Sequence, residues 1–423
     1  MTQRFYIKCP SCGHIYQIKM QMDQNVHLFD WPIVIECKEC GDIIRGVYNR
    51  NGLSIKQLSH EQFTDHSIVT TMVGYSSSLP VVDSIYMKDG DGLDSMALFS
   101  PYMNLLGNFT SEELAKFDGF LVKLQKEVLP YREGMLGLLP MIKKNNIKAY
   151  CNKFTTLFGK KIELGNMGDV YAHYMSILYK NYLCLRTFHY SMNECRQYIS
   201  PLFKFIDQTN LNNLKLSLNS AGIMSEWYKN EALPYIAKTI KYIEKLIPSM
   251  IYSVVGEYCI NNRGILNITT ISHEDAMVLY KDGYEVFVHG LPYIVGIRNV
   301  MDGGSVDDFC YKSASGIKTL ADFAKLPGGL MENKLSDYQN IMGWIGNTMN
   351  NKVRNAASHD GVEYNSETQT LNCHYDQTDR NKVYKLQLIE LCDMVYMQLL
   401  HIMEITILAY TIVTRINTKK VVL

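Results

Sequence analysis

Four cysteines open the chain in two matched pairs, Cys9-Pro10-Ser11-Cys12-Gly13 and Cys37-Lys38-Glu39-Cys40-Gly41. Two knuckles of this form place four thiolates around one tetrahedral ion. A glycine directly after each second cysteine permits the tight turn that aims backbone N–H groups at the sulfurs. The expected ligands of one structural Zn2+ are therefore Cys9, Cys12, Cys37 and Cys40. Four thiolates complete such a site, which makes His14 and His27 surface or packing residues of the same module. Far along the chain, Arg354, Asn355 and His359 share one six-residue run. An imidazole takes up and returns protons near neutral pH, a guanidinium fork holds an oxyanion, and an amide orients either one.

Several elements must position these groups. Residues 1–50 alternate short β-like runs with the cysteine turns, the layout of a small metal-pinned β module. Residues 51–108 read as a connector with a few short strands, on their Gly, Ser and Asp content and Pro80 and Pro101. At Thr110 capping residues open a helix, and apolar-periodic segments follow to about residue 260. Residues 261–300 mix β-branched residues with Gly264, Gly283 and Gly290 and stay undecided between strand and helix. Over 335–356, Leu335, Tyr338, Met342, Ile345, Met349, Val353 and Ala356 recur in steps of three and four, one stripe of an amphipathic helix. At roughly 100° per residue, Arg354, Asn355 and Ser358 point away from that stripe and His359 falls at its edge. Asp360-Gly361 ends the helix, the alternation at Val362/Tyr364 and Leu371/Cys373/Tyr375 suggests a hairpin, and residues 381–415 read as a long helix apolar all round. The division expected is 1–50 zinc ribbon, 51–108 connector, 109–260 helical domain and 261–423 second helical domain, mainly α overall.

The run Arg354-Asn355-Ala356-Ala357-Ser358-His359 resembles the Arg, polar residue, three variable residues, His signature of the HEPN superfamily of nucleotide-binding and RNA-cleaving helical domains. The resemblance covers at most the last 150 residues or so. It implies a C-terminal HEPN-like helical bundle, a motif at a helix end followed by a further long helix, and a composite site across a homodimer. A zinc ribbon ahead of a helical region and a terminal HEPN domain is similar to the zinc-finger HEPN ribonucleases of bacterial antiphage defence, the ring-activated kind included. That similarity implies an endoribonuclease of the abortive-infection type, with catalytic Arg354, Asn355 and His359, an RNA substrate, and a phage-encoded, ring-shaped trigger protein sensed through the zinc-bearing part. The chemistry also has its own basis. Cleaving RNA without a metal needs a group to remove the 2′-hydroxyl proton, a group to protonate the leaving oxygen, and fixed positive charge on the phosphorane. Histidine suits the first two tasks and arginine the third.

Composition narrows the field without choosing a partner. Lys+Arg and Asp+Glu both total 42 in 423 residues, so no overall field draws in polyanions and any nucleic-acid contact rests on a local patch. The odd total of 11 cysteines, seven of them scattered outside the two pairs, is a reduced thiol inventory and not a disulfide framework. The N-terminus lacks a basic-then-apolar signal, and the apolar run 402–413 falls short of the roughly 20 residues that cross a bilayer, so a cytoplasmic protein without membrane contact is expected. Residues 143–161 hold six lysines and no acidic residue, interleaved with Tyr150, Phe154 and Phe158: a phosphate-tracking patch or, more commonly, a solvated helix face. The acidic run at 89–94 reads as a plain turn. Against the enzyme stands an adaptor or nucleic-acid-bound regulator in which Arg354 and His359 only stabilise a helix end. For the ribbon itself, protein recognition or a structural role is favoured over base readout.

Overall fold

The computed structural model describes residues 2–22, 30–49, 52–55, 71–82, 86–87, 109–187, 190–223, 226–254, 266–346 and 348–414. His27, the 89–94 turn and most of the 51–108 connector lie outside them. The described chain is predominantly helical with small sheets, and it forms two compact units. The first is Met1–Gln125, Tyr242–Leu279 and Asn355–Asp393; the second is Lys126–Lys241, Tyr280–Arg354 and Met394–Leu423. Residues 261–423 thus contribute to both.

The first unit is built on strands β1 (Thr2–Lys8), β2 (Ile15–Gln21), β3 (Trp31–Glu36), β4 (Ile43–Asn49), β5 (Gly52–Ile55), β6 (Thr71–Ser76), β7 (Val81–Val82) and β8 (Tyr86–Met87). β1 and β2 make an antiparallel hairpin, closed at Lys8↔Ile15, and β3 and β4 make another, closed at Glu36↔Ile43. The first hairpin continues sideways, β6 running parallel to β2, in the order β1-β2-β6-β8. Trp31, Ile33 and Ile35 turn one face of β3 inward at the two-residue period of a strand, joining Ile7, Tyr16, Ile18, Met20, Val73 and Tyr75 in one apolar core. Trp31 Nε1 donates to the Thr269 carbonyl at 2.6 Å, which ties the ribbon to the segment around β9 (Leu266–Asn267). The Gln369 amide brackets Ile268, taking its N–H at 2.7 Å and donating to its carbonyl at 2.9 Å.

The second unit is helical: α2 (Arg132–Lys143), α3 (Ile147–Phe158), α4 (Met167–Arg186), α5 (Tyr190–Gln208), α6 (Leu211–Ser220) and α7 (Leu233–Lys241), after α1 (Ser111–Glu127), which begins in the first unit. The start of α1 is a capping box: the Thr110 hydroxyl takes the Glu113 N–H at 3.2 Å while Glu113 takes the Thr110 N–H at 2.8 Å. Further on come α8 (Ile247–Val254), α9 (His273–Gly303), α10 (Leu320–Ala324), α11 (Gly328–Lys334), α12 (Gln339–Ile345), α13 (Asn351–Ser358), a meander of β10 (Val362–Asn365), β11 (Thr370–His374) and β12 (Val383–Gln387), and α14 (Leu388–Thr414).

Three expectations change in detail. The single helix over 335–356 is instead α12 and α13, because the chain turns at Gly346 and re-enters helix only where the Asn350 side chain takes the N–H groups of Lys352 and Val353 at 3.0 and 3.3 Å. The apolar stripe still faces inward, since Tyr338, Ile345, Met349, Val353 and Ala356 are all buried. Residues 381–415 are not helical throughout; β12 occupies the first part and α14 starts at Leu388. The apolar run 402–413 belongs to this 27-residue helix, which is long and apolar enough to cross a bilayer, yet 83% of its most apolar window is buried inside the protein. It is a core helix of the fold.

Candidate functional site

Cys9 and Cys12 lie in the turn of the first hairpin, and Cys37 and Cys40 in the turn of the second. The backbone repeats between the two: Gly13 N–H bonds to Cys9 O at 3.0 Å and Gly41 N–H to Cys37 O at 2.7 Å, with both glycines at positive φ, +81° and +73°. A β-carbon is disfavoured in that conformation, so glycine follows each second cysteine. The four sulfurs lie within 4.8 Å of one another, Cys9 to Cys40 at 3.6 Å and Cys12 to Cys37 at 3.5 Å. A tetrahedron of Zn–S bonds near 2.3 Å has edges of about 3.8 Å, so the set is compatible with a metal ion held by four thiolates. His14 stays outside the set, its ring against Tyr16 and its Nε2 2.8 Å from the Thr71 hydroxyl.

The four thiols influence one another's ionisation. Burial opposes the Cys37 thiolate, but hydrogen bonds from Tyr16 and from the Cys40 and Glu39 backbone outweigh it and bring its pKa down to about 6. At Cys40 a backbone bond from Asp42 works downward, yet desolvation and the three neighbouring sulfurs win and push it up to about 12. A divalent cation bound to the four sulfurs would hold all of them as thiolates.

The Arg354-Asn355-Ala356-Ala357-Ser358-His359 run lies at the end of α13. Arg354, in the last turns of the helix, is half-buried and donates from Nε to Glu285 Oε1 on α9 at 2.7 Å, both residues belonging to the second unit. Asn355 is half-buried, and His359, one residue past the helix end, is exposed. The non-core face is thus less solvated than expected, because α9 covers its arginine. The helix stops where Asp360 takes φ +51° and Gly361 N–H returns to Ala356 O at 2.9 Å. A β-carbon on Gly361 would stand 2.5 Å from the His374 carbonyl, so this close approach of β11 requires glycine.

Two features escaped sequence reasoning. Glu285 lies 69 positions before its arginine, within the stretch left undecided between strand and helix, and carries no local signal. Glu404, read as an interruption of an apolar run, is buried and takes hydrogen bonds from Tyr182 at 2.6 Å and Trp344 Nε1 at 2.7 Å, with His401 Nδ1 at 3.1 Å. The single carboxylate within the apolar run 402–413 was the available clue, since such a group is buried only with partners.

No family model, no curated protein and no solved structure matches this chain significantly.

Proposed function

We propose that the chain is an endoribonuclease of HEPN type, cytoplasmic, acting in antiphage defence, with one structural Zn2+ on Cys9, Cys12, Cys37 and Cys40. The observation that carries this reading is the setting of the motif: His359 is exposed directly past a helix end, Arg354 is oriented from the side by Glu285, and the buried α14 follows. In the proposed step the 2′-oxygen attacks the adjacent phosphorus as its proton leaves, the 5′-oxygen departs with a proton, and a 2′,3′-cyclic phosphate remains. His359 serves one or both proton transfers, Arg354 holds the phosphoryl oxygens as charge develops, and Asn355 orients an oxygen or the imidazole. The zinc supplies folding energy to the ribbon, which senses a phage-encoded, ring-shaped protein, and two copies of the C-terminal region pair symmetrically so that two motifs meet.

The test is incubation of the purified chain with total RNA in EDTA beside Arg354→Ala and His359→Ala. Cleavage by the parent and not by the variants is expected; equal cleavage by all three, or none by any with the trigger supplied, rejects the reading. A chain that sediments strictly as a monomer while cleaving rejects the dimer.

The Arg354–Glu285 pair also favours a second reading. An arginine neutralised by a carboxylate is an ordinary structural contact, and the chain is then a zinc-ribbon adaptor or nucleic-acid-bound regulator without catalysis. Absence of cleavage together with intact binding selects it.

A further inference from the structure

Residues 134–162 contain no aspartate or glutamate. Within them Lys143 and Lys144 close α2, Lys148 and Lys153 stand on α3, and Lys160 and Lys161 follow Gly159, where α3 ends. All but Lys153 are exposed, and Lys153 is half-buried. Lys161 pairs with Glu163 at 2.8 Å; Lys143, Lys144, Lys148, Lys153 and Lys160 have no ion pair among the described residues. Elsewhere in the second unit lysines do find carboxylates, Lys238 with Asp282 and Lys241 with Glu133. Five of these six lysines, concentrated in a chain of zero net charge, are therefore without an ion pair among the described residues.

The aromatic residues interleaved with them do not share that surface. Tyr150 and Phe154 are buried, the Tyr150 hydroxyl 2.9 Å from His173 Nδ1 and the Phe154 ring 4.6 Å from both Phe158 and His173. Phe158 lies over Gly134 of α2. The stacking half of the sequence expectation therefore fails, because the three rings fasten α3 to its neighbours. What remains outward on α3 is Lys148, Asn152 and Thr156 at four-residue steps, a polar face ~12 Å long, beside the exposed Leu157, with Lys160 following the helix end. The positive dipole end of α3 adds to the same sign near Lys148, whereas Lys143, Lys144 and Lys160 stand at the negative C-terminal ends of α2 and α3.

We infer that this α2–α3 lysine surface is a docking site for the phosphate backbone of single-stranded RNA, separate from the Arg354–His359 motif and blind to base identity. The inference rests on the ribonuclease reading for the choice of polyanion. A substrate carrying one charge per nucleotide gains nothing from the chain's net field, so it needs an unneutralised patch of this kind. Base stacking requires exposed aromatic groups, and the exposed surface presents ammonium groups, the amides of Asn145, Asn146 and Asn152 and a hydroxyl. An anionic membrane is the poorer fit, because its helices insert a broad apolar face, and here only Leu136 and Leu157 reach outward, 39% and 37% exposed.

The experiment measures fluorescence anisotropy of a labelled 20-nucleotide RNA on the full chain carrying His359→Ala, so that the probe survives, from 50 to 200 mM salt. Replacing Lys143, Lys144, Lys148 and Lys160 together by Gln should weaken binding at least tenfold at 50 mM and lower the slope of log K against log salt by about 3, at roughly 0.7 per phosphate contact. The matching set of Arg replacements should retain affinity, and polyuridine and mixed-sequence RNA should bind alike. An unchanged slope in the Gln variant, an Arg variant as weak as the Gln one, or preference for phosphatidylserine vesicles over RNA overturns the inference. The two readings fail separately: binding that ignores the lysines beside His359-dependent cleavage rejects only the patch. Lysine-dependent binding without cleavage by the otherwise unsubstituted chain rejects only the ribonuclease.

Discussion

Arg354 and Glu285 meet through the guanidinium Nε, 2.7 Å from Oε1, with each side chain about a third exposed, 33% and 39%. A bond at Nε fixes the plane of the fork and hence the directions of its terminal N–H groups. For an arginine meant to meet two phosphoryl oxygens, orientation matters more than the modest energy of a pair this exposed. In the proposed ribonuclease Glu285 is a positioning residue.

Glu285→Gln should cut RNA cleavage roughly tenfold by lowering kcat with KM little changed, while stability falls by less than about 1 kcal/mol. Single-turnover kinetics beside a thermal melt check this. A Gln variant as fast as the parent removes Glu285 from the site.

The metal prediction uses Trp31, which is 1% exposed in the ribbon core beside Cys9 and Cys37. The parent should hold about one zinc per chain, and Cys37→Ser should lose it and unfold the two hairpins. The tryptophan emission should shift to the red as Trp31 meets water, while far-UV helical signal is largely retained. Purification without chelator that yields no zinc contradicts the site; metal loss with an unshifted spectrum contradicts its structural role.

Lys19 gives a pH dependence with a definite sign. It is 1% exposed on β2, and burial first, then the nearby Arg4 charge, lowers its pKa from 10.5 to about 8. Between those values the unfolded chain binds more protons than the folded one, so this group's contribution to stability rises with pH across about 8 to 10.5. The gain is at most about 3 kcal/mol at 1.36 per unit. Lys19→Met should remove this rise relative to the parent and stabilise the first unit at pH 7, as read by urea titrations at pH 7 and 10. A parent and variant that respond equally to pH refute it.

What was legible in the residues was local. The cysteine knuckles announce themselves because spacing and glycine act within five positions, and the Thr110 box because a cap and its partner are three apart. The inward stripe through Val353 and Ala356 survived even where the helix carrying it did not, since apolar periodicity reports burial and Gly346 decides continuity. The parallel pairing of β2 with β6, the Glu285 contact and the Glu404 cluster join residues about 55 to 222 positions apart. Tertiary packing selects such partners, and no spacing rule encodes them.

The catalytic prediction turns on the contrast between Arg354 and His359. His359 is exposed beyond the end of α13, so His359→Ala should leave the melt within about 0.5 kcal/mol of the parent. Arg354→Ala also loses the Glu285 pair and should cost about 1 kcal/mol at most, the worth of a partly exposed ion pair plus a helix-end cation. Both should abolish cleavage if one moves the proton and the other stabilises the phosphorane. Asn355→Ala should only reduce it, because water can stand in for an orienting amide. Products of the parent should end in a 2′,3′-cyclic phosphate or its hydrolysis product, the signature of attack by the neighbouring 2′-oxygen, and EDTA should not stop the reaction. Arg354→Lys sharpens the test: it keeps the charge and loses the fork, so a variant that melts like the parent yet stays inactive assigns the arginine to bidentate phosphate binding. Full activity in Arg354→Lys reduces that role to point charge, and full activity in the double alanine variant moves the site elsewhere in the molecule.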